Sequence, residues 1–151
     1  MEPLISIRIL DQQHPYQPGE VLKCEYQVDA VEASDVQSLE ASVLWHTEGK
    51  GDEDMAVHHF ERRLPNDAEN RDLRALHTFT TVLPNSPLTY AGIIVKVRWC
   101  VRVRVFLRRG KAAFFEQPFE LGSVPQAIST EVDSDEAIDD ESARPADGEN
   151  A

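Results

Sequence analysis

The chain has 151 residues, enough for one domain with a core of its own, and it carries 27 acidic against 15 basic side chains for a formal charge of −12. No stretch approaches the roughly 18 apolar residues of a membrane helix. The opening residues, Met1-Glu2-Pro3-Leu4-Ile5-Ser6-Ile7-Arg8, form neither a basic leader nor a long apolar run, so no membrane span is expected and the expected compartment is the cytoplasm.

Leu4 to Leu10 alternates with Ile5, Ile7 and Ile9 on one face, which predicts a strand. It runs into His14-Pro15-Tyr16-Gln17-Pro18-Gly19-Glu20, whose prolines and glycine predict a turn. Val21 to Asp29 alternates again, and Leu39, Ala41, Val43 and Trp45 follow at a spacing of two, giving two more strands. Glu48-Gly49-Lys50-Gly51-Asp52-Glu53-Asp54 is too polar and glycine-rich for an element and reads as a hairpin loop before the short run Met55 to Arg62.

Leu64 to Leu73 is charged, carries Pro65 and reads as a connection with room for one helical turn. Leu76 to Leu83 resumes the strand pattern, and Pro84 to Gly92 is a turn with two prolines. The longest strand, Ile93 to Leu107, comes next; Arg108-Arg109-Gly110-Lys111 then turns the chain into a last strand, Ala112 to Leu121. About eight short strands with no amphipathic helix predict an all-β, antiparallel, immunoglobulin-like sandwich. Beyond Val124-Pro125 the apolar pattern stops. The expected organisation is a sandwich domain over residues 1–124 and a disordered acidic tail over 125–151, because so few apolar residues cannot offset the entropy of ordering.

Charge is segregated along the chain. From Glu131 to Glu149 nine acids stand against Arg144 alone, giving −8 and leaving the remainder at −4. Glu20 to Glu61 holds eleven acids against Lys23 and Lys50, whereas Leu73 to Phe115 has eight basic residues and no acid. Strand parity also places the two cysteines. Cys24 shares a face with Leu22, Tyr26 and Val28, while Cys100 falls opposite Val97, Trp99 and Val101. Thiols on different sides of a sheet cannot reach the Cβ separation of about 4 Å that a disulfide needs, so both are expected free, in a reducing compartment.

Two stretches carry a family likeness. Tyr16-x-Pro18-Gly19-Glu20-Val21 opens one strand, and Leu83-Pro84-x-Ser86-Pro87-x-Thr89-Tyr90-x-Gly92 leads into the long basic strand. Together they resemble the arrestin N-terminal domain, whose Pro-Gly-Glu turn feeds a Val-x-Gly-x-Val strand and whose later proline-serine-aromatic-glycine turn feeds an Ile-x-Tyr-x-Val strand. The resemblance spans about Ile5 to Leu121, with Cys24 where the family usually has glycine and Trp99 where it usually has tyrosine. It implies an arrestin-like sandwich and a scaffolding role. Arrestins pair two such domains, and this chain has room for one, so the two-domain clasp that holds activated receptors is not expected.

His46, Asp52, Glu53, Asp54, His58 and His59 lie close in sequence, but His58 and His59 are adjacent on a predicted strand and should point to opposite faces, which argues against a metal site. No nucleophile with a base and no pair of contrasting acids stands out, so no catalytic residue, metal or cofactor is expected. Trp45 and Trp99 fall on apolar faces and are expected in the core. The remaining feature is a basic stripe: Lys96, Arg98, Arg102 and Arg104 on the polar face of the long strand, with Arg108, Arg109 and Lys111 at its turn.

In structural terms the stripe is a cross-strand charge ladder opposed by acids such as Glu25 or Glu40. In functional terms it is a partner-binding surface for an acidic protein segment, which makes the chain a non-catalytic adaptor. The alternative is a phosphate- or nucleic-acid-contacting domain using the same stripe, and a body at −4 with a tail at −8 disfavours that polyanion.

Overall fold

The computed structural model describes residues 2–51, 53–65 and 72–122. Along them run eight strands: β1 (Leu4–Leu10), β2 (Val21–Asp29), β3 (Val36–Gly49), β4 (Met55–Arg63), β5 (His77–Val82), β6 (Tyr90–Ala91), β7 (Val95–Leu107) and β8 (Ala112–Phe119). Three of them form one antiparallel sheet in the order β1-β2-β5. The other five form a second, ordered β4-β3-β7, with β6 and β8 both paired to β7. The acidic tail, 125–151, and the middle of the charged connection between β4 and β5 lie outside the described residues.

The alternation read from the sequence becomes the core. Leu22, Cys24, Tyr26 and Val28 of β2 are buried, as are Leu39, Ala41 and Val43 of β3 and Trp99, Val101, Val103 and Val105 of β7, all in one hydrophobic cluster. This is a two-layer sandwich closed by apolar faces, the arrangement that removes most carbon surface from water for strands of period two. Trp99 is buried as expected, its Nε1–H donating to the Pro87 carbonyl at 2.8 Å, and Trp45 packs partly buried against the same cluster.

The two turn motifs meet in space. Gln17 to Glu20 closes a turn with a 3.0 Å bond from the Glu20 N–H to the Gln17 carbonyl, Pro18 and Gly19 at its centre. Gly19 has φ +87°, a conformation that costs glycine little and suits the third position of a type II turn. The Gly19 N–H then donates to the Leu83 carbonyl at 2.9 Å, and the Leu83 N–H to the Glu20 carbonyl at 2.9 Å, so the first motif is tied to the start of the second. The segment that follows β8 is tied in too. Thr89 exchanges hydrogen bonds with the Leu121 backbone, and the Tyr16 N–H donates to the Glu120 carbonyl at 2.8 Å.

One expectation fails on β4. His58 and His59 do not point to opposite faces, because the β3–β4 register shifts between Val43 and Leu44: Val43 pairs with His59 and Leu44 with Val57, leaving His58 as the extra residue of a bulge. Both rings turn toward the other sheet. His58 donates to the Val82 carbonyl at 2.7 Å and stands edge-on to Trp99, while His59 stacks on Phe79 with centroids 4.8 Å apart. The bulge, together with inward-pointing Glu61 and Arg63, interrupts what would otherwise be a regular open edge on β4.

Both cysteines are free and buried, and they lie on different sides of the five-stranded sheet. Cys24 sits in the intersheet cluster; Cys100 is buried outside it, paired with Leu44 and Pro118 in the register. Burial pushes each thiol up to about 12, so neither is a ready thiolate. Thiol titration of protein kept without reductant should therefore find two reactive groups per chain after denaturation and almost none before it. Prompt reaction of the native protein would contradict the burial of Cys100.

Candidate interaction surface

The outward face of the five-stranded sheet collects the basic stripe, and its register shows which charges oppose which. Across β4, β3, β7 and β8 the outward residues form rows: Phe60, Ser42, Arg102 and Glu116; then Arg62, Glu40, Arg104 and Phe114. Arg98 Nε donates to Glu48 at 2.9 Å, and Arg102 Nε to Glu116 at 2.6 Å. Glu40 lies opposite Arg104 in the register but takes both of its bonds from Arg62, at 2.7 and 2.9 Å. The charge ladder is thus realised in part, by Glu40, Glu48 and Glu116. Glu25 is no member of it, since it belongs to β2 in the other sheet and pairs with Arg8 at 3.1 Å.

The predicted stripe does not act as one unit. Arg98 and Arg102 are spent on carboxylates, and Arg108 turns away to donate to the Ser34 carbonyl at 2.5 Å. Among the described residues Lys96, Arg104, Arg109 and Lys111 have no carboxylate within 4 Å. Arg109 occupies the turn between β7 and β8 with φ +75°, which presents it at the end of the face.

Aromatic rings, which the sequence reading had not assigned to this surface, stand between these cations. Phe60 is 51% exposed and Phe114 62% exposed, on the same face as half-buried Phe106. Each lies beneath a guanidinium: Arg62 over Phe60 at 5.7 Å, Arg102 over Phe114 at 5.8 Å and Arg104 over Phe106 at 6.0 Å. Such stacking orients both partners and is worth on the order of 0.5–1 kcal/mol at an exposed site. A signal for Phe114 was present, since adjacent Phe114 and Phe115 on a strand cannot both face inward. No local pattern marked Phe60, which faces outward through its pairing with Ser42. At one end of the face a groove of about 300 Å³ is lined by Gln37, Ser38, Glu40, Arg62, Leu64 and Phe106.

Among the described residues no three His, Cys, Asp or Glu side chains converge on a point, and Asp52 lies outside the described residues. His46 is on the outward face with Glu48 at 3.0 Å, far in the register from His59, whose ring reaches Glu61 at 3.3 Å. Thr81 Oγ1 lies 3.2 Å from His58 Nε2, a hydroxyl beside an imidazole. That nitrogen carries a proton, because it donates to the Val82 carbonyl, so it cannot accept one from Thr81.

A second polar cluster lies at the β4 side of the sandwich. Tyr26 donates to Glu61 at 2.5 Å, and Arg63 donates to both the Tyr26 oxygen at 2.8 Å and Glu61 at 2.9 Å. Burial, then the bond to Glu61, raises the phenol well above its ordinary range. His77 packs its ring 5.3 Å from that of Tyr26 and donates to the Leu73 carbonyl at 3.0 Å; burial lowers its pKa from the usual histidine value. The unfolded chain therefore takes up the His77 proton first. Stability is fully present above the unfolded pKa of about 6.5 and declines as pH falls through the window below it. Urea midpoints at pH 7 and pH 5.5 should differ more for the parent than for His77→Gln, and equal differences would remove His77 as the cause.

No protein-family model matches the chain, and no curated protein matches it. Solved structures do. The crystal structure of Spo0M, sporulation control protein, from Bacillus subtilis aligns with a TM-score of 0.52 and 16% identity over 79% of this chain and 49% of that one. The chain thus spans about half the length of that structure. At this identity the likeness is one of fold, and it supports the arrestin-like sandwich implied by the two turn motifs.

Proposed function

We propose that this chain is a non-catalytic adaptor, an arrestin-like sandwich that binds a protein partner through the outward face of its five-stranded sheet. The observation that carries the reading is the set of rings on that face, exposed Phe60 and Phe114 and half-buried Phe106, interleaved with Arg62, Arg102 and Arg104. Aromatic and arginine side chains are those most enriched where proteins bind proteins, since they bury much surface with few rotors and offer directed hydrogen bonds. Buried, unreactive thiols suit a protein that works in a reducing cytoplasm. The phosphate or nucleic-acid reading is weaker, because two of the stripe's arginines are already neutralised by Glu48 and Glu116.

The test is an affinity capture from native extract with the full-length chain, a Phe114→Ser/Arg104→Gln variant and a Thr80→Ser control on the opposite sheet. The expected result is a protein retained by parent and control and lost by the double variant. Identical capture by all three, or material released by nuclease, overturns the assignment.

A further inference from the structure

The groove at the Arg104 end of this face has a composition that specifies more than a generic partner. Leu64 and Phe106 contribute apolar side chains to its lining, and Gln37 and Ser38 polar ones. Arg62 lines it, and Arg104 stands over Phe106 beside it. The turn carrying Arg108, Arg109 and Lys111 lies at the same end, since Arg108 bonds to Ser34 and Leu107 pairs with Val36 next to Gln37. Against these five cations the described residues nearby supply Glu40, Glu32 and Asp35, and Glu2, which lines a cavity together with Lys111. Glu40 is already held by two bonds from Arg62.

We infer that this groove binds an extended acidic peptide segment of a protein partner, with one large apolar side chain of the segment seated against Leu64 and Phe106. The inference rests on the adaptor reading and adds the chemistry of the ligand. A bare polyanion satisfies the cations but leaves the Leu64 and Phe106 surface wet. A neutral apolar peptide fills the groove but leaves Arg104 and the turn without counter-charge. An acidic segment with one apolar anchor answers both, the anchor by burial and the flanking carboxylates by bonds to guanidinium groups that are planar and weakly hydrated. Carboxylates at exposed arginines contribute little singly, so the anchor should set affinity and the charges should set salt dependence.

The experiment titrates the full-length protein into a fluorescein-labelled acetyl-Glu-Asp-Glu-Leu-Glu-Asp-Glu amide, read by anisotropy, beside the same peptide with glycine in place of leucine. The leucine peptide should bind about fivefold or more tightly than the glycine peptide, and binding should weaken as salt rises. Arg104→Gln and, separately, Phe106→Ala should each weaken it about fivefold, whereas Arg8→Gln on the other sheet should leave it unchanged. Thermal melts confirm that each variant is folded; Arg104→Gln alters an exposed side chain and serves if Phe106→Ala does not fold.

Equal binding of the leucine and glycine peptides, or displacement by a heparin fragment of matched charge, overturns the inference in favour of a polyanion surface. Binding that appears only when the nine acids of 131–149 are replaced by their amides makes the chain's own tail the occupant, and overturns it as well. No binding by either form removes the groove as a site. If the peptide fails while the double variant still loses its captured protein, the adaptor reading stands without this groove.

Discussion

Trp99→Ala is expected to cost about 3–5 kcal/mol, the largest loss of any single substitution proposed for this chain. The side chain is 1% exposed, and it is the largest of the fully buried ones. Its ring lies 5.9 Å from Phe119 and 6.2 Å from His58, so truncation leaves a void bounded by three elements rather than one. Backbone relaxation cannot fill it readily, because β7 is held on both sides, by β3 and by β8. The indole N–H also vacates the Pro87 carbonyl, which loses the side-chain donor it has from the long strand. Urea unfolding followed by circular dichroism measures the shift. A change below about 1 kcal/mol would mean that the site collapses onto the ring's neighbours and that the intersheet packing is looser than these distances imply.

Glu61→Ala comes next, at about 2 kcal/mol. Glu61 accepts from Tyr26 and Arg63 and lies within bonding distance of His59, so its removal leaves two donors, and a cation, facing the interior edge of the sandwich. Complete burial would make the loss larger. The Glu61 side chain is 21% exposed, however, and water reaching the cluster can solvate part of what is orphaned. Glu61→Gln separates the contributions: it retains an acceptor for Tyr26 but lacks the charge that faces Arg63, and it should lose less than half as much. A neutral Glu61→Ala would show that the cluster is held by the packing of Tyr26 alone.

The sequence by itself determined most of the strand content. β1 and β2 have the predicted bounds, Leu4–Leu10 and Val21–Asp29, because alternation in a half-buried strand is a local property that each pair of residues repeats. The Pro18-Gly19 turn was legible for a similar reason: a positive φ at the third position is a demand on one residue, and glycine advertises it. The separation of Cys24 from Cys100 also followed from parity. Not all boundaries did. β3 extends from Val36 to Gly49, well past the Leu39-to-Trp45 pattern, since pairing with β7 along its whole length supplies backbone partners to residues whose side chains give no signal.

Only the tertiary structure decided how the outward face of the five-stranded sheet is composed. Which acid meets which arginine depends on register between strands far apart in sequence, so Glu116 and Glu48 neutralise Arg102 and Arg98, while Glu25 lies in the other sheet. The bulge at His58 set the facing of every β4 residue before it, and no alternation within β4 could reveal a residue that its partner strand leaves out. Cys100, read as one member of a polar face, is buried because Leu44 and Pro118 come to flank it from β3 and β8. Local periodicity assigns a residue to a side of its own strand; what lies on that side, and whether water remains there, is fixed by long-range pairing that the chain's linear pattern does not contain.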